Sequence, residues 1–288
     1  MHSYLRSVGF SDVNRKDLEK ILEEVVCHYD EKHTAVNESQ NTFAEFIRYY
    51  TPGCGLAVCG EYEEDGTFRR DYYFPIFKGN GVTTQEKTVV ERHADKEAFA
   101  GACDDYRVGI TLIFYLQNPA RYMREGKREN MVHCPLTLVG LAEEGKILFP
   151  VEKDKELVRI QKESDRNRND LMEAARNGDE EAIESLTMED MDTYSMLSKR
   201  IVTEDIMSIV DTYFMPYGIE CDRYGIMGEI RSFSRRRNEK TGEELCCMTV
   251  ESRDIVLDVV INQKDLLGEP AVGRRFKGNI WLQGELHY

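Results

Sequence analysis

The stretch GRRFKGNIWLQGELHY, Gly273 to Tyr288, decides the fold of the last part of the chain. It alternates between apolar and polar residues, which is the pattern of a β-strand with one face in a core. One face carries Phe276, Gly278, Ile280, Leu282 and Leu286. The other face carries Arg275, Lys277, Asn279, Trp281, Gln283 and Glu285. Trp281 is the only tryptophan in the chain. On the polar face it must contact a ligand, another part of the chain or a partner.

Further strands precede this one. They are GIMGEIRSF (225–233), LCCMTV (245–250) and IVLDVVI (255–261), with an arm, RRRNEKTGEE, that turns through Thr241 and Gly242. Short strands punctuated by glycine, with no long helix among them, predict a small closed β-barrel over residues 206–288. The shape resembles an oligonucleotide/oligosaccharide-binding (OB) barrel, a likeness that does not by itself assign a function. Residues 206–218 fit a helix and a strand equally well.

The first part of the chain, residues 1–151, predicts a helix packed on an antiparallel meander, so the overall class is α+β. Ser11 or Asn14 can cap the helix, whose apolar stripe recurs at three- and four-residue spacing in Leu18, Ile21, Leu22, Val25 and Val26. Aromatic and β-branched runs separated by turn residues predict the meander strands. These runs are 43–50, 54–62, 67–74 and 108–116, followed by a closing hairpin over 132–142 and 147–151.

Residues 152–205 are dense in charge and rich in helix formers, which predicts a helical bridge between the two domains. Gly178 is placed to end one helix, and Asp179 is placed to cap the next one. The stretch 187–201 continues the helical section.

Composition narrows the classes of function. The formal net charge is −15, and that field opposes nucleic acids and anionic membranes. The charge is uneven, because the residues from Cys221 onward carry equal numbers of basic and acidic side chains. The most apolar run, Ile110 to Leu116, is far shorter than the roughly 20 residues that span a bilayer. The N-terminus shows no apolar signal region, and the eight cysteines form no CxxC motif. We therefore expect a cytoplasmic protein with reduced thiols.

Motifs for catalysis or metal binding are absent from the sequence. The densest metal-like cluster, CHYDEKH, places His28 and His33 five residues apart, so one helix cannot direct both at a single ion. His133 and Cys134 are adjacent on a predicted strand and point to opposite faces. We therefore predict no catalytic residues, no metal ligands and no cofactor.

Candidate binding residues occur in the predicted barrel, where basic side chains are interleaved with aromatic ones. They are Phe233, Arg235, Arg236, Arg237, Arg275, Lys277 and Trp281. Such a surface suits base stacking with phosphate neutralisation. The alternative is that Trp281 packs against protein while the arginines pair with the surplus carboxylates. The negative net charge of the chain favours this alternative.

Three segments carry a resemblance to a known family: MHSYLRSVGFS, FMPYGIECDRYGIMGEI and KDLLGEPAVGRRFKGNIWLQG. Together they resemble a domain-of-unknown-function family of anaerobic gut Firmicutes. The resemblance covers essentially the whole chain and implies a bacterial, intracellular protein. No activity is assigned to that family, so no catalytic residue carries over.

The sequence favours a non-catalytic intracellular binding protein that engages a protein partner or a second copy of itself. One alternative is an OB-like barrel that binds single-stranded nucleic acid, a partner that the net charge disfavours. The other alternative is an enzyme with an unrecognised site, which His93, His133 or a pair of carboxylates in a deep pocket would support.

Overall fold

The computed structural model describes residues 2–37, 39–92, 97–105, 107–125, 134–151, 170–172, 174–175, 177–201 and 210–288. Its helices are a 3₁₀ helix at Ser3–Val8, α1 (Arg15–Cys27), α2 (Pro119–Glu125), α3 (Glu180–Ile201) and a 3₁₀ turn at Gln263–Asp265. Its strands are β1 (Glu31–Val36), β2 (Thr42–Thr51), β3 (Cys54–Tyr62), β4 (Phe68–Phe77), β5 (Thr88–Arg92), β6 (Phe99–Asp105), β7 (Ile110–Leu116), β8 (Leu136–Leu148), β9 (Tyr213–Pro216), β10 (Arg223–Arg237), β11 (Glu244–Ser252), β12 (Ile255–Asn262), β13 (Leu266–Leu267) and β14 (Arg275–Leu286). The predicted α+β class is confirmed.

The predicted meander forms an antiparallel sheet with the order β1-β2-β3-β4. The sequence did not indicate β1, because only Ala35 of its six residues is buried and the stretch resembles a polar helix end. Helix α1 packs on β2 and β3. Asn14 caps it by accepting a 3.0 Å hydrogen bond from the backbone N–H of Asp17. The predicted stripe Leu18, Ile21, Leu22 and Val25 is buried against the sheet.

A closed five-stranded barrel forms the second part of the fold. Around the ring, β12, β11, β10 and β14 pair in antiparallel fashion. Strand β8 closes the ring, because it pairs with β14 in antiparallel fashion and with β12 in parallel fashion. Strands β7, β6 and β5 extend the sheet outward from the far end of β14.

Two glycines of β8 make the tight packing inside the barrel possible. A Cβ on Gly145 would lie 2.5 Å from the Phe276 ring and 3.0 Å from Ile261, and one on Gly140 would lie 2.8 Å from Ile280. Phe276, Ile280 and Leu282 are fully buried. The face that was predicted to be apolar therefore points into the barrel core.

Two predictions about the strands before residue 151 are wrong. The hairpin predicted over 132–151 is, from Leu136 onward, the single strand β8, with a register shift opposite Asn279 and Ile280. Its EEGK sequence resembled a turn, but Gly145 serves close packing inside the barrel. The run 108–116 does not join the meander, because β7 lies beside β14 and β6. The barrel is therefore not built from residues 206–288 alone.

The ring has the strand order of an OB barrel with one change in connectivity. The first four strands of such a barrel correspond, in chain order, to β10, β11, β12 and β14. Strand β8 takes the place of the fifth strand but comes first in the chain. The Ser3–Val8 helix packs on β8 and β12, where the Ser7 hydroxyl donates a 2.8 Å hydrogen bond to the Ala142 carbonyl.

Within residues 152–205, the helix boundary at Gly178 and Asp179 lies where the sequence predicted it. Gly178 has a left-handed φ of 89°, which glycine adopts readily at the end of a helix. The Asp179 carboxylate then accepts hydrogen bonds from the backbone N–H groups of Glu181 and Ala182, and α3 follows. The remaining residues of the bridge, 152–169, 173, 176 and 202–205, lie outside the described residues. Among the described residues, none of the helices combines the length and apolar character that crossing a bilayer requires.

Candidate functional site

Trp281 lies on the outer side of the barrel, and other parts of the same chain bury it to 5% exposure. Its indole stacks on Tyr4 at a ring-centroid distance of 5.4 Å and lies 4.6 Å from the His2 ring. Tyr115 of β7 approaches from another side at 5.1 Å. Burial lowers the pKa of His2 to about 4, so its ring is neutral at pH 7. Trp281 therefore contacts protein, as the sequence favoured.

The indole N–H of Trp281 has a specific partner. It donates a 2.7 Å hydrogen bond to Oδ2 of Asp222. The neighbouring backbone N–H of Leu282 donates to the Asp222 carbonyl at 2.9 Å. Asp222 is the last residue of the loop in the hairpin that β9 and β10 form. Strand β14 thus holds this hairpin at two adjacent points.

This hairpin, residues 213–223, is named here the apolar hairpin, because it presents large apolar side chains to solvent. Met215 is 57% exposed, Tyr217 is 50% exposed and Ile219, near the tip, is 100% exposed. Its backbone is regular, since β9 pairs with β10 at four positions and the Tyr217 N–H donates to the Arg223 carbonyl at 2.9 Å. Contiguous exposed apolar side chains on an ordered element mark an interaction surface more often than a core defect.

Sequence reasoning missed the apolar hairpin, although a signal was present. Met215, Tyr217 and Ile219 recur at two-residue spacing, so they would share one face of an extended segment. The spacing runs through a Pro-Tyr-Gly turn, where a solvated loop would carry polar residues. The uncertainty between helix and strand over 206–218 hid this pattern. The structure makes 213–216 a strand, and residues 206–209 lie outside the described part of the chain.

The seven predicted binding residues do not form one surface. Arg275 is buried, and its guanidinium donates to the carbonyls of Phe149 and Val210 at 3.0 and 2.9 Å. Lys277 is half-buried. Trp281 lies opposite Arg223 in the ladder, whereas Arg235 lies twelve residues further along the same strand. At about 3.3 Å per residue, the strand can separate the two ends of the predicted surface by up to about 40 Å.

The second group of predicted residues lies where β10 extends beyond β14. Phe233 is 40% exposed. Each of the three arginines there has a partner in the same chain. Arg235 pairs with Glu269, Arg236 donates to the Pro52 carbonyl, and Arg237 donates to the Gly242 carbonyl. Their role in binding remains a prediction, but their donor groups already serve contacts within the chain.

Other segments of the same chain also occupy part of the surface with which OB barrels commonly bind oligonucleotides. That surface is the outer face of the second and third strands, here β11 and β12, with the loop between the first two strands. Asp258 of β12 accepts hydrogen bonds from the Asn80 backbone and side chain at 2.8 and 3.1 Å. In the loop, buried Asn238 donates to the Val8 carbonyl, and Thr241 donates to the Gly9 carbonyl. An oligonucleotide would have to displace these segments and face a carboxylate.

A buried carboxyl in the four-stranded sheet is the most perturbed acidic group that is described. Glu45 of β2 is fully buried, and neither carboxyl oxygen has a hydrogen-bond partner of normal geometry among the described residues. Its pKa is raised to about 8, mainly by burial; the charges of Glu285 and Glu31 add to this rise, and Lys78 opposes it. Glu45 is therefore largely protonated at pH 7.

The groups around Glu45 do not form an activated nucleophile. Cys59 lies directly across the ladder from Glu45, and Tyr72 lies across from Cys59. Burial raises the pKa of the Cys59 thiol and of the Tyr72 hydroxyl well above their usual values. Because the thiolate is the reactive form, such a thiol is a poor nucleophile. This cluster can hold a proton, but it does not resemble a catalytic site.

The other candidate ligands are spread over separate elements. Helix α1 ends at Cys27, and His33 lies on β1, where its ring is 3.3 Å from the Glu31 carboxylate. Across the described residues, no three His, Cys, Asp or Glu side chains are grouped so that they could hold a metal ion. His93 and His133, which the sequence named as markers of a pocket, lie outside the described residues.

Comparison with known proteins places the chain in one family. A family model described as "Domain of unknown function, E. rectale Gene description (DUF3881)" matches residues 5–284. The comparisons with curated proteins and with solved structures find no match. The match agrees with the resemblance of the three sequence segments to a gut Firmicute family, and the E. rectale description suggests a bacterial origin.

Proposed function

Because the chain belongs to the DUF3881 family, whose description gives no activity, we propose its function from the geometry of the chain itself. It is a non-catalytic binding protein that engages another protein through the apolar hairpin. The observation that carries this proposal is the full exposure of Ile219 on a hairpin that Trp281 and Asp222 hold in place.

Energetics support an interaction role for the hairpin. Removing apolar surface from water is favourable by about 25 cal/mol per Å², so exposed Met215, Tyr217 and Ile219 are a ready source of binding free energy. The hairpin is also ordered before binding, because paired strands and the Asp222 contacts fix its backbone. An ordered loop loses less conformational entropy when it binds than a disordered one.

The charges near the hairpin indicate the kind of partner. The side chain of Glu220 is 56% exposed, and Arg223, its ion-pair partner, also lies over the Tyr4 ring. The chain as a whole carries a net charge of −15. A partner with an apolar pocket and a basic rim complements this surface. A second copy of the chain would bring like charge to the contact, so self-association is less favoured at low salt.

The proposal includes a reducing compartment such as the cytoplasm. All eight cysteines are free thiols, and six of them are buried. Buried thiols without disulfides are typical of proteins that stay in a reducing compartment.

Affinity capture with matched variants tests the proposal. The full-length chain, Ile219→Asp and Val272→Asp are each immobilised and exposed to extract from the source bacterium at several salt concentrations. Val272 is the matched control, because it is 65% exposed but lies outside the hairpin. Burying an isoleucine is worth about 1.5–3 kcal/mol, so Ile219→Asp should weaken capture of a specific protein by about tenfold or more. Val272→Asp should capture that protein as the unmodified chain does.

Light scattering on the purified chain separates a partner from self-association. A concentration-dependent dimer that Ile219→Asp abolishes would assign the hairpin to self-association. Equal capture by all three proteins would contradict the role of the hairpin. A strict monomer that retains no protein at any salt concentration would contradict the binding proposal itself.

A further inference from the structure

Two thiols meet where the four-stranded sheet contacts the barrel. Cys54 is the first residue of β3 and Cys247 lies on β11, and each thiol shifts the pKa of the other. Independent contacts place the two segments that carry them together. The turn before Cys54 accepts a hydrogen bond at Pro52 from Arg236 of β10. Two residues earlier on that strand, Ser234 pairs directly with Cys247.

We propose that Cys54 and Cys247 form a reversible disulfide that links the four-stranded sheet to the barrel. The oxidant is a low-molecular-weight disulfide of the glutathione class. The Cys247 thiolate attacks one of its sulfurs, the small disulfide bond breaks, and one small thiolate leaves with the electron pair. The Cys54 sulfur then attacks Cys247 Sγ, and the second small thiolate leaves with the electron pair and takes up the Cys54 proton. Two protein thiols are oxidised, and one small disulfide is reduced to two thiols.

The surroundings favour this order of attack. Cys247 retains 5% exposure, whereas Cys54 has none, so an oxidant reaches Cys247 first. The neighbouring Cys54 thiol and the Arg236 guanidinium lower the pKa of Cys247. A thiol beside a cation is the usual attacking partner in thiol–disulfide exchange.

Cys246, which is adjacent to Cys247 in the sequence, does not compete with it for Cys54. Cys246 pairs with Ile261, whose side chain lies inside the barrel next to Gly145. Side chains alternate along a strand, so Cys246 points into the barrel core and Cys247 points outward to the sheet. Cys246→Ser is therefore a matched control that is adjacent in sequence but opposite in direction.

Peptide mapping of the folded, full-length chain tests the disulfide. The chain is equilibrated with glutathione buffers of increasing oxidised fraction, free thiols are alkylated, and the digest is analysed without reduction. We expect a linked Cys54–Cys247 peptide that has lost two hydrogen atoms and that dithiothreitol reverses. Cys246→Ser should still form it, and Cys54→Ser should instead accumulate glutathione on Cys247.

Two results would overturn the proposal. One is that Cys54 and Cys247 stay free thiols in the folded chain, and are therefore alkylated, at every glutathione ratio. The other is that the dominant link joins the exposed Cys27 or Cys221, because exposure alone would then govern oxidation. The unmodified chain decides both results, so the test does not depend on whether a variant folds.

Discussion

The indole Nε1 of Trp281 lies 2.7 Å from Oδ2 of Asp222, and this bond joins the last strand of the barrel to the end of the loop in the apolar hairpin. The only tryptophan of the chain thus positions the surface that we propose for binding. It does so from the outer face of β14, while Phe276 and Ile280 on the other face fill the barrel.

Removing this hydrogen bond should loosen the hairpin. Trp281→Phe keeps an aromatic ring but loses the donor to a carboxylate, which should lower the free energy of unfolding by roughly 1–3 kcal/mol. Trp281→Ala also loses the stacking on Tyr4 and should cost roughly 3–5 kcal/mol. Urea denaturation of the full chain measures both changes. Asp222→Asn retains an acceptor oxygen and should be milder than Trp281→Phe; unchanged stability in Trp281→Phe would show that the bond contributes nothing.

The barrel should not fold from its C-terminal segment alone. Residues 206–288 lack β8, which pairs with both β12 and β14 to close the ring. Without it, two strand edges and the core side chain of Phe276 are exposed. We expect no cooperative transition when this fragment is heated and followed by circular dichroism, whereas the full chain should show one. A sharp, reversible transition in the fragment would mean that β8 is dispensable.

Closure of the barrel should depend on a glycine in β8. A Cβ at Gly145 would lie 2.5 Å from the Phe276 ring, so Gly145→Ala should overpack the core and cost about 1–3 kcal/mol. Gly81→Ala is the control, because a Cβ there meets nothing within 4 Å. Chemical denaturation compares the two variants. Equal stability of both would place Gly145 in a turn, as its sequence suggests, and not in the ring.

Glu45 should make stability depend on pH. Its pKa is raised from 4.5 to about 8 in the folded chain, so the unfolded chain releases this proton first. Stability is therefore lost as the pH rises from about 4.5 to about 8, by at most about 5 kcal/mol.

Comparison with Glu45→Gln isolates this effect, because glutamine is neutral at every pH. Relative to the unmodified chain, the variant should gain stability between pH 5 and pH 8. Its free energy of unfolding is measured by denaturation at each pH. Both proteins keep the neighbouring titratable groups, which are Glu31, Glu285, Lys78, Cys59 and Tyr72. The titration of these groups therefore largely cancels in the difference between the two free energies of unfolding. A difference that stays constant across this range would exclude a proton on Glu45.

Local patterns predicted the elements whose signals are contained in short stretches. The alternation of β14 identified its core face, and the cap and stripe of α1 were visible in Asn14 and Leu18. The role of β8 left no such signal, because its partners β12 and β14 lie more than a hundred residues away. Gly145 has the same local appearance whether it turns the chain or admits Phe276, so only the long-range pairing distinguishes the two.

The candidate site was harder to predict than the fold for an electrostatic reason. A sequence shows that Arg235 and Arg275 are basic, but it does not show that Glu269 or the Phe149 carbonyl already engages them. The sequence also does not show which side chains are exposed to solvent. Ile219 resembles any core isoleucine in sequence, and only the three-dimensional structure shows that it is wholly in solvent.

A photo-crosslinking residue placed at position 219, in the source bacterium, tests the central claim most directly. We predict that irradiation joins the full-length chain to one other protein as an adduct of defined mass. The same residue at position 272, which is also exposed, should give no such adduct. Adducts of equal yield from both positions, or none from position 219, would contradict the claim that the apolar hairpin is a binding surface.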